Sequence, residues 1–154
     1  MSIKRGSDFL TATDSTLIDL LSERHHLMRS SLENRWNEEH DVSISNSEWY
    51  ILSKVYKDKK TISQIAKEAN LTRQAVHKHV KNLLSKGLVE TNQLEFNKKG
   101  KLIQLTELGN DYFKKYNQLK LSLEATIAEY LSDEQLSQLK KILNEDWGIV
   151  MEDR

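Results

Sequence analysis

The sequence predicts a mainly α fold with one small β-hairpin, and three observations carry this prediction. The chain of 154 residues has no proline and only five glycines, so long helices with few interruptions are expected. A Ser or Thr followed three positions later by Glu or Gln marks three helix starts. Residues 88–105 change from helical spacing to the alternation that is typical of strands.

The first two helices follow from apolar spacing and capping residues. Apolar residues recur at helical spacing over residues 17–36, and Asp14 or Ser15 is expected to cap this helix. Ser45 and Glu48 predict a capping box, in which each side chain accepts a backbone N–H of the other residue. The box would open a second helix that ends at a basic loop, residues 57–60.

Two short helices joined by a tight turn are expected next. Thr61 and Gln64 predict a second capping box, and Thr72 is the predicted N-cap of the following helix. Gly87 is expected to end that helix. The predicted inward stripe of the second short helix is Val76, Val80, Leu83 and Leu84. This arrangement is a helix-turn-helix pattern.

The remainder predicts a hairpin and two further helices. Residues 88–91 and 102–105 are the expected strands, with the hairpin tip at residues 97–100. Thr106 is expected to cap a long helix that ends near Tyr130, and a box at residues 132–135 opens the last helix. Because the terminal helices have wide apolar faces, a second copy of the chain is expected to cover them as a homodimer.

Charge is segregated although the net charge is zero. Residues 57–101 hold 11 Lys and Arg against 4 Asp and Glu, a balance of +7, and the rest of the chain has a balance of −7. A local basic patch is typical of nucleic-acid binding, although a solvated charged face is the plain alternative.

The basic segment supplies side chains suited to duplex DNA. Arg can pair with guanine and Gln with adenine in the major groove, while Lys neutralises phosphate. The helix starts at Thr61 and Thr72 offer backbone N–H groups to phosphate. Three hairpin lysines could follow the minor groove or simply keep the hairpin soluble. The predicted DNA-binding residues are Thr61, Thr72, Arg73, Gln74, His77, Lys78, Lys81, Lys98, Lys99 and Lys101, with Lys57 and Lys60 as further phosphate contacts.

In these stretches the sequence resembles the MarR (multiple antibiotic resistance regulator) family of winged helix-turn-helix transcription regulators. The resemblance is carried by residues 61–69, 71–76, 83–89, 97–100, 105–109 and 131–136, and it covers about residues 14–147. It implies a single domain over residues 1–154, with dimerisation helices in 14–40 and 107–150 around a winged DNA-binding region, 45–106. Asn97 and Lys99 stand where the family usually has an aspartate and a wing arginine, and Lys lacks the planar fork of Arg.

The resemblance also implies an effector cleft between the dimerisation helices and the winged region. Its predicted lining is His25, Met28, Arg29, Trp49, Tyr50, Tyr112 and Tyr116. Aromatic rings and one cation would suit a small aromatic or anionic effector, whereas the same aromatics at helical spacing would also fit an ordinary core.

Other classes of function are not expected. The chain has no cysteine, no phosphate-binding loop and no nucleophile motif, so we expect no cofactor, no metal site and no enzyme. No stretch resembles a membrane span or a signal peptide, so a cytoplasmic protein of bacterial type is expected. The expected function is a homodimeric regulator, a repressor more than an activator, on a pseudo-palindromic duplex. The alternative is a winged-helix module that docks an acidic protein without DNA.

Overall fold

The computed structural model describes residues 15–93 and 100–150. Within these ranges the chain forms a mainly helical fold with a small antiparallel sheet, so the predicted fold class is confirmed. The elements are α1 (Leu17–Glu39), α2 (Asn46–Val55), β1 (Lys60–Thr61), α3 (Ile62–Ala69), α4 (Arg73–Ser85), β2 (Val89–Gln93), β3 (Lys101–Leu105), α5 (Glu107–Tyr130) and α6 (Asp133–Asn144). None of the described helices is long and apolar enough to cross a membrane.

The helix starts are set by Ser and Thr side chains, mostly as predicted. The capping boxes of Thr61 and Ser132 are both complete, and the Thr106 hydroxyl accepts a hydrogen bond from the N–H of Gly109. The prediction for α1 was wrong, because Thr16 rather than Ser15 is the cap, accepting from the N–H of Asp19 at 3.4 Å. Asp14, the other predicted cap, lies outside the described residues.

The capping box predicted at the start of α2 is only half formed. The Ser45 hydroxyl accepts from the N–H of Glu48 at 3.2 Å. The Glu48 carboxylate does not return to the backbone of Ser45 but instead forms an ion pair with Lys86 at 2.6 Å. The prediction failed at this point because a charged partner from a distant element binds the carboxylate more strongly than a neutral N–H does.

The sheet has one strand more than the sequence predicted. The order is β1-β3-β2, with β3 antiparallel to both neighbours. Strands β2 and β3 pair from Val89 with Leu105 to Gln93 with Lys101, which confirms the hairpin. The unpredicted β1 pairs Lys60 with Ile103 and so ties the start of α3 to the hairpin. The predicted tip lies outside the described residues except for its last residue, Gly100.

Left-handed residues end α3 and α4. Asn70 follows α3 with φ 52°, and Gly87 follows α4 with φ 72°, as predicted for that glycine. The N–H groups of Gly87 and Leu88 bond to the carbonyls of Leu84 and Leu83, which is the Schellman arrangement. The prediction that Leu84 belongs to the inward stripe of α4 was wrong, because its side chain is 41% exposed and faces a groove beside the sheet.

The core lies where the winged region meets the C-terminal part of α1 and the first half of α5. The side chains that are almost completely buried are Trp36, Ile51, Leu52, Ile65, Val76, Leu83, Leu88 and Ile103. Trp36 makes edge contacts with Trp49, Tyr112 and Tyr116, while its Nε1–H donates to the Val42 carbonyl at 2.9 Å. In contrast, α6 has no buried residue, and Leu108 and Tyr130 of α5 are exposed.

A main-chain junction connects α4, β2 and α5. The Leu88 carbonyl accepts a hydrogen bond from the N–H of Thr106 at 3.1 Å, and the Thr106 hydroxyl donates to the Gly87 carbonyl at 2.6 Å. A Cβ atom placed on Gly109 would lie 1.9 Å from the Leu88 oxygen, so only glycine fits in this first turn of α5. The junction fixes where α5 begins relative to the end of α4.

We therefore predict that Gly109→Ala destabilises the protein by about 1–3 kcal/mol, because the added methyl group must push the two main chains apart. Without this contact, alanine in a helix would stabilise by roughly 0.5–1 kcal/mol. Urea unfolding at a fixed protein concentration would measure the difference, with Gln118→Ala on the exposed face of α5 as the control. A more stable Gly109→Ala protein would contradict the close contact.

Candidate nucleic-acid interface

The outward face of α4 carries the side chains that the sequence assigned to base and phosphate contacts. Arg73, Gln74, His77, Lys78 and Lys81 are all exposed, while Val76, Val80 and Leu83 of the same helix are buried. Among the described residues, none of the three cations on this face pairs with a carboxylate. This face of α4 is thus a row of hydrogen-bond donors whose cations have no carboxylate partner in the described part of the chain. The opposite side of the helix packs in the core.

A groove between α4 and the sheet brings part of this face together with the hairpin. Its volume is about 390 Å³, and its lining residues are Ile62, His77, Lys78, Val80, Lys81, Leu84, Thr91, Lys101 and Ile103. Three lysines and one histidine therefore surround an apolar floor. Lys101, at the first position of β3, is exposed, so its ammonium group is available on the same side as Lys81.

The other residues predicted to contact DNA differ in their exposure and in the partners they already have. Thr72 caps α4 by accepting from the N–H of Ala75 at 3.1 Å, and Thr61 caps α3 in the same way. Lys57 is exposed, whereas Lys60 is paired with Glu68 at 3.0 Å. The predicted wing lysines Lys98 and Lys99, like Asn97 before them, lie outside the described residues.

A second candidate site is a small cavity between α1, α2 and α5. Its volume is about 210 Å³, and its lining residues are Arg29, Glu33, Trp36, Asn37, Ile44, Ser45, Asn46, Trp49 and Tyr116. Trp49 and Tyr116 stack with ring centroids 3.9 Å apart, and the Arg29 guanidinium donates to the Tyr116 hydroxyl at 2.8 Å. The cavity thus combines aromatic walls with one cation, Arg29, and one carboxylate, Glu33.

Burial dominates the electrostatics around this cavity. It raises the pKa of the Tyr116 phenol, against the opposing effect of the charge and hydrogen bond of Arg29. Burial, and then the like charge of Arg29, lower the pKa of Lys120, whose ammonium lies 5.3 Å from the centroid of the Tyr116 ring. Arg29 and Lys120 are therefore two cations that both contact Tyr116.

The structure brings together three of the seven residues predicted for the effector cleft, namely Arg29, Trp49 and Tyr116. The other four do not line this cavity. His25 is exposed on α1, Met28 faces a separate cavity near α6, Tyr50 is 43% exposed beneath Lys54, and Tyr112 packs against Trp36 and His40.

The sequence did not predict any role for Lys86 or for the Glu48 carboxylate beyond helix capping. Glu48 is 4% exposed, and its partner Lys86 also donates to the Ser43 carbonyl at 2.7 Å. A usable signal was the helical spacing of Glu48 with Leu52 and Val55, which places Glu48 on the buried face of α2. Only the folded chain shows that the distant Lys86 is the cation that pairs with Glu48.

Comparison with known proteins gives the same architecture. The sequence profile of the MarR family matches residues 40–95. The HTH-type transcriptional regulator TcaR of Staphylococcus aureus (strain Newman) is 26% identical over 107 residues, which are 68% of this chain and 70% of TcaR.

Solved structures of two other regulators are similar in fold. MepR, a transcription regulator of the Staphylococcus aureus multidrug efflux pump MepA, is 24% identical with a TM-score of 0.67, covering 84% of this chain and 94% of that one. The reduced form of MarR from E. coli is 21% identical with a TM-score of 0.73, covering 84% and 94%. A MepR mutant bound to an oligodeoxyribonucleotide is 24% identical with a TM-score of 0.61, covering 84% and 94%.

These relatives are transcription regulators and not enzymes. The matched profile spans α2 to the wing, which includes the helix-turn-helix and its uncompensated outward face. In the profile match over residues 40–95 and in its winged fold, the chain is similar to the MarR family of transcription regulators.

Proposed function

We propose that this protein binds double-stranded DNA in a sequence-specific manner as a homodimer and represses transcription. The observation that carries the proposal is the exposed, unpaired face of α4, which adjoins Lys101 across one groove. A helix that enters the major groove needs such a face, with its opposite side held by a protein core. The similar fold of a MepR mutant bound to an oligodeoxyribonucleotide supports the same use of this surface.

The two parts of the interface have different roles in this proposal. Arg73 and Gln74 stand in the first turn of α4, the part of a recognition helix that reaches base edges, so they read sequence together with His77. Lys78, Lys81 and Lys101 neutralise phosphates, as do the wing lysines Lys98 and Lys99 and the loop residue Lys57. The helix starts behind Thr61 and Thr72 add backbone N–H donors. Lys60 contributes less, since Glu68 already compensates its charge.

A second copy of the chain is the proposed cover for the terminal helices, residues 14–40 and 107–150. The N-terminal part of α1 and all of α6 leave large apolar side chains in solvent, among them Ile18, Leu27, Leu139, Ile142 and Leu143, each 41–72% exposed. A cavity of about 570 Å³ between α1, α5 and α6 is lined mainly by such residues. Isologous pairing of this surface buries it and presents two copies of α4 to one duplex.

Repression needs only that the dimer occupy a promoter, and effector release needs only that the two recognition helices change spacing. Half-sites lie about 34–36 Å apart on a duplex, so a change in the distance between the two α4 helices costs affinity. The cavity beside Arg29, Trp49 and Tyr116 is the proposed effector site, and its chemistry fits a small aromatic carboxylate. A regulator of this kind acts in the bacterial cytoplasm, where the DNA is.

The first test is selection from a random duplex library with the purified protein. We expect an inverted repeat with half-site centres about 10–10.5 base pairs apart. If nothing specific were retained and binding vanished with salt, the protein would instead be a winged-helix module that docks an acidic partner.

Arg73→Ala and Lys101→Ala are expected to weaken DNA binding in different ways. Arg73→Ala should lose about 1–3 kcal/mol of discrimination at one base pair, because a bidentate contact to a base edge disappears. Lys101→Ala should weaken all duplexes alike and reduce the salt slope by about 1, because one phosphate contact is lost. Fluorescence anisotropy over a salt series measures both quantities.

Lys141→Ala on the exposed surface of α6 is the matched control, and it should change neither discrimination nor the salt slope. If Arg73→Ala and Lys101→Ala lost the same affinity on every sequence, the division of roles between bases and phosphates would be wrong.

Leu139→Asp is expected to weaken the homodimer. Leu139 is 41% exposed in the single chain and lines the large apolar cavity, so a carboxylate there would have to be buried between two copies. We expect the dissociation constant of the dimer to rise by a factor of roughly thirty or more, from about 2 kcal/mol of lost burial. Sedimentation equilibrium measures it, and Gln138→Asp, exposed one position earlier, is the control. An unchanged dimer would exclude this face as the interface.

Arg29→Met is expected to reduce the binding of benzoate, the simplest aromatic carboxylate, about tenfold or more. The reason is the loss of a charge-assisted hydrogen bond, worth about 1.5–3 kcal/mol. Titration calorimetry measures the affinity, with Arg24→Met, which removes a cation from the other cavity, as the control. Equal losses in both variants would mean that benzoate senses only the net charge of the protein.

A further inference from the structure

Glu48 is a buried carboxylate with a single charged partner among the described residues. Its side chain is 5% exposed, and its Oε2 lies 2.6 Å from the Lys86 ammonium. Lys86 is the residue that ends α4, directly before Gly87, and its side chain is 26% exposed. The same ammonium group donates to the Ser43 carbonyl at 2.7 Å. The end of the recognition helix is therefore held by two bonds to residues 43–48, which comprise the end of the loop after α1 and the first turn of α2.

That same segment also forms one wall of the small cavity. Ile44, Ser45 and Asn46 line it, and so does Trp49, the residue after Glu48. Glu48 and Trp49 are both buried at the start of α2, with Glu48 bonded to Lys86 and Trp49 stacked on Tyr116. One short stretch of chain thus contacts the cavity on one side and the recognition helix on the other.

We propose that Glu48 and Lys86 are positioning residues that couple this cavity wall to the recognition helix. The inference rests on the proposed DNA binding by α4 and adds to it the route by which the cavity senses the DNA-bound helix. Residues 43–49 and the end of α4 move as one unit, because separating the pair would leave the Glu48 carboxylate buried without a counter-charge.

Coupling between two sites is reciprocal, so it can be measured from the DNA side without an effector. If occupation of the cavity moves α4, then DNA on α4 must change the cavity wall. Trp49 is the reporter, because it lines the cavity and adjoins Glu48 in sequence. Trp147 follows α6 and does not line this cavity, which makes it an internal reference.

The experiment is ¹⁹F NMR of the full chain labelled with 5-fluorotryptophan, with resonances assigned by single Trp→Phe substitutions. The probe is a mixed-sequence duplex of about 30 base pairs, long enough for two half-sites, added at low salt until each protein is saturated. We expect the duplex to shift the Trp49 resonance of the unmodified protein and to leave Trp147 unchanged.

The decisive variant is Glu48→Met/Lys86→Met. Removing both charges avoids a lone buried carboxylate, and apolar residues of similar length commonly preserve stability at such a pair. We expect this variant to bind the duplex with the Trp49 shift lost. Lys86→Met alone tests the same coupling from one side, and thermal unfolding establishes which variants are folded. Lys140→Met, which breaks the exposed pair with Glu124, is the matched control and should keep the full shift.

The outcomes separate the two proposals. A Trp49 shift of the same size in the folded double variant would overturn the coupling, as would an unmodified protein that binds the duplex with no Trp49 response. An unmodified protein that does not bind the duplex at all would overturn the proposed DNA binding and the coupling with it.

Discussion

The Leu88 carbonyl lies so close to Gly109 that no side chain can stand between them, and the arrangement of the helices depends on this contact. The N–H of Leu88 closes the end of α4, its carbonyl receives the N–H of Thr106, and the next residue begins β2. One residue therefore sets the end of α4, the start of β2 and the first turn of α5. Because main-chain atoms make these contacts, a change in side-chain packing elsewhere moves the three elements together rather than one against another.

Local signals explain why most of the fold could be predicted from the sequence. A capping side chain acts over three residues, so Thr61, Thr106 and Ser132 show their helix starts without knowledge of the rest of the chain. Strand β1 could not be predicted in this way, since two residues show no alternation and pair only because β3 lies beside them. Leu84 was assigned to the core because it continues the apolar spacing of α4. Spacing gives the direction of a side chain around the helix but not where the neighbouring sheet ends.

The same distinction between local patterns and long-range packing applies to the candidate site. The outward face of α4 could be predicted because it is the complement of the buried stripe on one helix. The lining of the cavity could be predicted less completely, because it comes from α1, α2 and α5 and depends on which turns of these helices meet. Arg29 and Tyr116 meet there, whereas Tyr112, one turn earlier on α5, packs on Trp36 instead. The ion pair of Glu48 and Lys86 joins residues 38 positions apart, and no local pattern contains that information.

The segregation of charge along the chain has a consequence for how the molecule approaches a polyanion. Residues 57–101 carry a net charge of +7 and the rest of the chain carries −7. The protein is therefore an electric dipole without net charge. In the field of a duplex such a dipole experiences a torque, which turns the basic segment toward the duplex and the rest of the molecule away from it. Encounters would then begin in nearly the correct orientation, and their rate would fall as salt screens the field over about 8–10 Å. A neutral protein of this design gains orientation without the unselective adhesion to anionic surfaces that an overall positive charge brings.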